Sequence, residues 1–188
     1  MVQYARPDAT SDADTESTWN GWVDQGGGTD LHLAIDEATD QDDADDATTY
    51  ITTTDDASDE GCLLRLSDVS TPASGNAYIR YVALTQDESY SGQPGLKLEL
   101  LQGTTVKATT TNSSVNTSSW TAYSYTISDV SGISDWTDLN LRITMVSNSG
   151  MSDYMRVTQV YLETQAASGG SVPIAAIAMN TYNQMRNN

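Results

Sequence analysis

The sequence predicts an all-β protein: an antiparallel two-sheet β-sandwich of jelly-roll type with a C-terminal arm. Three observations predict it: apolar residues recur with a period of two, turn-forming residues separate the runs, and the composition suits pleated sheet. Leu96, Leu98 and Leu100 alternate with Lys97 and Glu99, and Leu139, Leu141, Ile143 and Met145 with Asn140, Arg142 and Thr144. Such alternation marks a strand with one buried and one wet face. Leu31, Leu33 and Ile35 alternate with His32 and Ala34, so a strand is expected there too, with His32 on its polar side. Runs near 49–53, 61–67, 76–85, 104–109, 120–128 and 153–163 bring the expected strands to nine or so. Between them lie Ser74-Gly75-Asn76, Ser91-Gly92-Gln93-Pro94-Gly95, Gln102-Gly103 and Ser147-Asn148-Ser149-Gly150. Short strands with turns at such spacing read as a sandwich or barrel. One helical turn is expected near Gly132–Trp136, with Ser131 as its cap.

At 188 residues the chain has the length of one domain, usually about 100–200 residues. Phe is absent, so the core must be built from Leu, Ile, Val, Met, Tyr and Trp. Thr is abundant, and Thr, Tyr, Val and Ile all fit a half-buried pleated surface. The sandwich is assigned to 1–165, including an acidic, loop-rich segment over 37–60. Residues 166–188 form a linker and arm.

Charge narrows the possible partners. Residues 1–60 hold 17 of the 26 acidic residues and one basic residue, for −16; the remaining nine acidic and seven basic residues give −2. No basic stripe is present, which argues against nucleic acid as a partner. No apolar run approaches the ~18 residues of a membrane span, and Met1–Asp8 lacks the basic and apolar regions of a signal peptide. The expectation is a protein made in a cytoplasm, without a membrane partner. Within the acidic segment, Asp40, Asp42, Asp43, Asp45 and Asp46 offer oxygen ligands of the kind Ca²⁺ takes, but the run lacks the glycine and closing glutamate of an EF-hand loop. A solvated acidic face is the simpler account.

Signatures of catalysis are missing from the sequence. With one histidine, His32, and one cysteine, Cys62, no multi-residue Cys/His zinc site can be assembled. Neither a nucleophile elbow nor a phosphate loop occurs, and Gly26-Gly27-Gly28 lacks a following lysine. Carboxylates are plentiful but crowded into one polar stretch, unlike two acids tuned by separate environments. The expectation is a protein that is not an enzyme and needs no cofactor.

Two other features point to binding. Trp19, Trp22, Trp120 and Trp136, with Tyr50, Tyr78, Tyr90 and Tyr123, supply the rings a sugar-stacking platform needs, although Trp120 and Trp136 sit where core packing is expected. At the other end, Ala166-Ala167-Ser168-Gly169-Gly170 reads as a linker. Beyond it, Ser171 and Pro173 can start a short helix carrying Ile174, Ile177, Met179, Tyr182 and Met185. A helix so short is marginal alone in water, so it is expected to dock, and the linker's glycines favour a second subunit.

Several local phrases carry a resemblance. They are Arg6-Pro7-Asp8 followed by Gly21-Trp22, then Ile35-Asp36-Glu37 before Tyr50-Ile51, Ile133-Ser134-Asp135-Trp136-Thr137-Asp138-Leu139, and Val160-Tyr161-Leu162-Glu163. Over about 3–164 the chain resembles jelly-roll virion proteins of tailed bacterial and archaeal viruses. The resemblance implies a capsid decoration or cement subunit, located on the virion, whose partners are the major capsid protein or copies of itself. It brings no catalytic residues. The alternative is a carbohydrate-binding β-sandwich on a virion appendage or another surface assembly.

Overall fold

A computed structural model describes residues 2–10, 21–35, 49–53, 61–72, 75–86, 94–146 and 154–165. Eleven strands run through them: β1 (Val2–Ala5), β2 (Pro7–Thr10), β3 (Trp22–Asp24), β4 (Ile51–Thr53), β5 (Gly61–Leu66) and β6 (Ala77–Gln86) come first. They are followed by β7 (Gly95–Gln102), β8 (Thr105–Asn112), β9 (Thr121–Ile127), β10 (Leu139–Val146) and β11 (Tyr154–Gln165). The first sheet has the order β3-β4-β11-β6-β9, with β1 also paired to β11, and the second is β2-β5-β10-β7-β8. Every pairing is antiparallel. From β4 onward only β7 and β8 are sequential neighbours within one sheet. Every other connection crosses between the sheets, which is the jelly-roll winding.

The inner faces hold the core. Ile79, Tyr81 and Ala83 of β6 and Met155, Val157, Val160 and Leu162 of β11 meet Cys62, Leu64 and Leu66 of β5. Leu96, Leu98 and Leu100 of β7 and Leu139, Leu141, Ile143 and Met145 of β10 complete it. Each such side chain contributes about 1.5–3 kcal/mol when fully buried. Trp22 is wholly buried on β3, and Trp136 is packed against the same core. Thr53 satisfies its polarity inside: its hydroxyl accepts from Met155 N–H at 3.0 Å and contacts Met145 Sδ, on the opposite sheet, at 3.6 Å.

Local chemistry sets the connections. The β7–β8 hairpin turns on Gly103, whose positive φ of 55° is the geometry a two-residue hairpin requires. The chain passes from the first sheet to the second across one residue, Arg6. Its N–H donates to Ser67 Oγ at 3.0 Å, and its carbonyl accepts from Ser67 N–H at 2.7 Å. Pro7 opens β2, an edge strand where a missing N–H is tolerated.

Three sequence expectations are corrected. Residues Leu31–Ala34 form a 3-10 turn, not a strand, closed by Leu33 N–H to Asp30 O and Ile35 N–H to His32 O. Leu31 and Ile35 are buried while Leu33 is 62% exposed, so the apolar triplet mimicked a strand's period without sharing one face. His32 therefore lies on that turn, with Nδ1 2.9 Å from Thr10 Oγ1. No helix forms at Gly132–Trp136; one turn bond, Ile133 N–H to Val130 O, suffices. Asp129 accepts from Ser131 N–H and Asp135 from Thr137 N–H, so side chains replace the helical bonds. Finally, β1, β2 and β3 are strands that the period-two pattern did not predict.

Burial pushes the Cys62 thiol from 9.0 up to about 12. It stays neutral in the fold while the unfolded chain ionises it near pH 9. The stability tied to it is complete below pH 9 and drains away as pH climbs towards 12, by about 4 kcal/mol in all. Urea titrations at pH 8 and pH 11 should show roughly two thirds of that loss in the native chain and lack that part in Cys62→Ala. A thiol reagent at pH 8 should label Cys62 only after denaturation.

Candidate functional site

Because inner and outer residues alternate, the outer face of the first sheet can be read row by row. Tyr4, Glu163, Tyr78 and Thr126 stand side by side across β1, β11, β6 and β9. The next row is Tyr161, Arg80 and Ser124, then Gln159, Val82 and Ala122, then Thr52, Arg156 and Leu84. Arg80 Nε donates to Glu163 Oε2 at 3.0 Å, and the Arg80 guanidinium lies 4.9 Å from the Tyr78 ring centre. Tyr4 meets Tyr161 edge-on at 5.6 Å, with Arg6 5.5 Å from the Tyr4 ring centre. Both geometries are attractive for rings carrying a negative face and a positive edge.

At the other end, Tyr50 and Trp120 approach to 5.8 Å between ring centres. Tyr50 precedes Ile51, which pairs with Val157 on β11; Trp120 precedes Thr121, which pairs with Ala83 on β6. The two rings thus come from opposite flanks and meet over the outer face. Arg156 stacks on Tyr50 at 5.3 Å. Along β9 the exposed outer residues are the short Ala122, Ser124 and Thr126, so the face is low there and bounded by Tyr78 and Trp120.

Beside this face opens a cleft of about 560 Å³, lined by Asp24, Gln25, Gly26, Asp30, Leu33, Ala34, Thr49 and Tyr50. Asp24 Oδ1 accepts from Gly26 N–H and Gly28 N–H, both at 2.7 Å, and so folds the loop that forms one wall. Thr158 holds another wall by donating its hydroxyl to Thr49 O at 2.7 Å. A second hollow of about 390 Å³ lies among Thr71, Pro72, Ser128–Ser131, Ile133 and Trp136. There hydrogen bonds from the Ser131 hydroxyl and amide hold Asp129 below the usual carboxylate range.

The outer face of the second sheet is built differently. Glu99 sits between Lys97 Nζ at 3.0 Å and Arg142 Nε at 2.8 Å, in a row with Leu63 and Thr109. Glu99 is neutralised within the sheet, and among the described residues no aromatic pair or cation-on-ring contact lies on this face.

Of the rings expected to form a platform, Tyr50, Tyr78 and Trp120 lie on the outer face. Trp22 and Trp136 are core, and Tyr123 faces inward, stacked on Tyr81 at 5.2 Å. Trp19 and Tyr90 lie outside the described residues, as do Asp40, Asp42, Asp43, Asp45 and Asp46. So do the arm residues Ile174, Ile177, Met179, Tyr182 and Met185. Among the described residues, no three His, Cys, Asp or Glu side chains are placed to hold a metal ion. Tyr4, Tyr161, Arg80 and Arg156 were not picked out from sequence; their place on the outer phase of β1, β6 and β11 is the signal that finds them.

The fold and this face define a class, the jelly-roll β-sandwich with an aromatic outer sheet. No protein-family model matches the sequence, and no curated protein matches it either. Among solved structures, the chain is similar to a xylan-binding module described as CBM15, with 13% identity, 89% of this chain and 99% of that one covered, and a TM-score of 0.47. It is also similar to the C-terminal CBM6 of a laminarinase from Zobellia galactanivorans (15% identity, 88% and 100% covered, TM-score 0.42). A CBM22-1 xylan-binding domain from Paenibacillus barcinonensis gives 17% identity, 87% and 98% coverage and a TM-score of 0.42. At these values we draw neither family nor function from the likeness.

Removing the Tyr50 ring by Tyr50→Ala should expose Trp120. Its emission should shift to the red and quench faster with acrylamide. The lost ring contact, about 0.5–1.5 kcal/mol, corresponds to a melting-temperature fall of roughly 2–6 °C. Unchanged emission would show that the two rings do not pack in solution.

Proposed function

We propose that this chain is a non-catalytic carbohydrate-binding module that holds a sugar chain along the outer face of its first sheet. The observation that carries the reading is the gathering of Tyr4, Tyr78, Tyr50 and Trp120, with Arg80, Glu163 and Arg156, on one face of one sheet. A pyranose ring has an apolar C–H surface and a rim of hydroxyls. Rings stacked below the first and charged groups beside the second suit both at once. The rigid sandwich fixes these groups before the ligand arrives, which lowers the ordering cost of binding.

The carboxylates support a binding role over hydrolysis. Glu163 and Glu99 point from opposite faces, each in an ion pair, whereas glycosidases place two carboxyl groups about 5–9.5 Å apart around one bond. Of the two carboxylates lining the cleft, Asp24 is engaged in folding its own loop. A module of this kind serves on a virion appendage or on another surface assembly. The capsid-decoration reading rests on the resemblance over about 3–164, and the arm expected to grip a partner lies outside the described residues.

Affinity electrophoresis through gels containing single polysaccharides tests the reading. The chain should be retarded in at least one gel and release no reducing sugar. Tyr78→Ala should weaken retention about tenfold, roughly 1.4 kcal/mol, without unfolding the protein. No retardation in any gel, together with a blank glycan array, would overturn it.

A further inference from the structure

We infer that the outer edge of β9 is a self-association surface, on which a second copy lays its own β9 antiparallel about a two-fold axis at Ser124. The inference stands independently of the glycan-binding reading.

A bare sheet edge invites pairing with another strand, and proteins guard edges with charge, proline, bulges or short length. Among the described residues the other edges are guarded in these ways. The second sheet ends at β2 and β8. In β2, Pro7 removes a donor and the register skips Asp8. In β8 the register skips Lys107 in the same way. On the first sheet, β3 has three residues and ends on Asp24, and β1 has four. The last strand, β9, is different. Its seven residues, Thr121–Ile127, pair with β6 without a register shift and include neither charge nor proline.

The direction of its backbone groups follows from its neighbours. Thr85 N–H donates to Asn116 O, on the β9 side, at 2.9 Å. Opposite Thr85, the Met155 N–H turns away from β6 to Thr53 Oγ1. Amides alternate along a strand, so Ala83, Tyr81, Ile79 and Ala77 also face β9. They exchange bonds with Thr121, Tyr123, Tyr125 and Ile127. The N–H and C=O groups of Ala122, Ser124 and Thr126 therefore point away from the sheet, and their side chains are exposed.

The order of residues favours a second copy over a foreign strand. Tyr123-Ser124-Tyr125 reads the same in both directions, with the small Ala122 and Thr126 beyond it. Pairing about Ser124 sets that residue against itself and Ala122 against Thr126, so every outward donor meets an acceptor. On the inner side Tyr123 meets Tyr125 of the second copy, and both rings are already half-buried against the core. Aromatic cross-strand pairs stabilise antiparallel sheet. Such an interface is self-complementary, as two-fold symmetry requires. Charge does not oppose it at close range. Residues 105–127 carry one charged side chain, Lys107, whereas residues 1–60, at −16, supply β1, β3 and β4 on the far side of β11. The two first sheets merge into one, with both aromatic outer faces on the same side.

Sedimentation velocity on the full chain, from about 1 μM to about 1 mM, tests the pairing. The expected result is a reversible monomer–dimer equilibrium. Ser124→Lys sets like charges against each other at the axis, and should weaken the dimer at least tenfold while the chain stays folded by circular dichroism. If that variant unfolds, Ser124→Cys decides. Cα atoms of a hydrogen-bonded antiparallel pair stand about 5.5 Å apart, within disulfide reach. Air oxidation of Ser124→Cys should therefore give a covalent dimer that dithiothreitol reverses. Thr126→Cys, set against Ala122, should give none, and the buried Cys62 supplies no background. A chain that stays monomeric throughout, leaving the edge to an extended peptide of another protein, would overturn the inference. So would a dimer unchanged in a folded Ser124→Lys, or one cross-linked by Thr126→Cys as readily as by Ser124→Cys.

Discussion

The structure depends on keeping the alternation of β11 in phase along its whole length. Twelve residues long, β11 pairs with β6 on one side and with both β1 and β4 on the other. Strict alternation from Val157 would turn Gln159 into the core and Val160 out of it. The register shift between Val157 and Gln159 prevents this: Thr158 is the extra residue, and Val160 and Leu162 return to the inner face. The bulge is not idle, because the Thr158 hydroxyl bonds to Thr49 O, next to Tyr50. One inserted residue thus corrects the core and anchors the ring on which the candidate site turns.

The two outer faces show how a single framework separates stability from recognition. On the second sheet, Glu99 is held between Lys97 and Arg142, with its side chain only 10% exposed. On the first, Arg80 is held by Glu163, while Arg156 rests on a ring. The first arrangement is closed and gains little from a ligand. The second leaves donors and aromatic surface unspent, and Tyr4, 46% exposed, extends that surface towards the sheet's edge.

Much of this fold was legible in the sequence wherever strands were long. Leu96, Leu98 and Leu100, and Leu139 to Met145, alternate cleanly because one face of each strand is core and the other is wet. The strands β1, β2 and β3 were not picked out, although the equally short β4 was, because three or four residues display a period too weakly to be read consistently. Residues 31–35 misled for the opposite reason: Leu31 and Ile35 reach the core from one turn, and Leu33 between them does not. The rings were visible as residue types, and Trp136 as a packed one, but Trp120, also expected in the core, is only half-buried against Tyr50, and the grouping of the rings was not visible. Tyr50 and Trp120 are far apart in the chain and meet only because β4 and β9 flank the same pair of strands. Trp22, equally aromatic, is lost to the site because it falls on the inner phase of β3.

The passage through Arg6 has a mechanical consequence. Since β1 is bonded to β11 in one sheet and β2 to β5 in the other, a load applied through β1 is shared by both layers. Each strand lies along its partner, so tension along the chain shears several hydrogen bonds together instead of unzipping them in turn. The Ser67 bonds at the crossing keep the two strands from sliding independently. A module tethered on that side would bear strain as a single body, with its outer sheet undistorted while under pull.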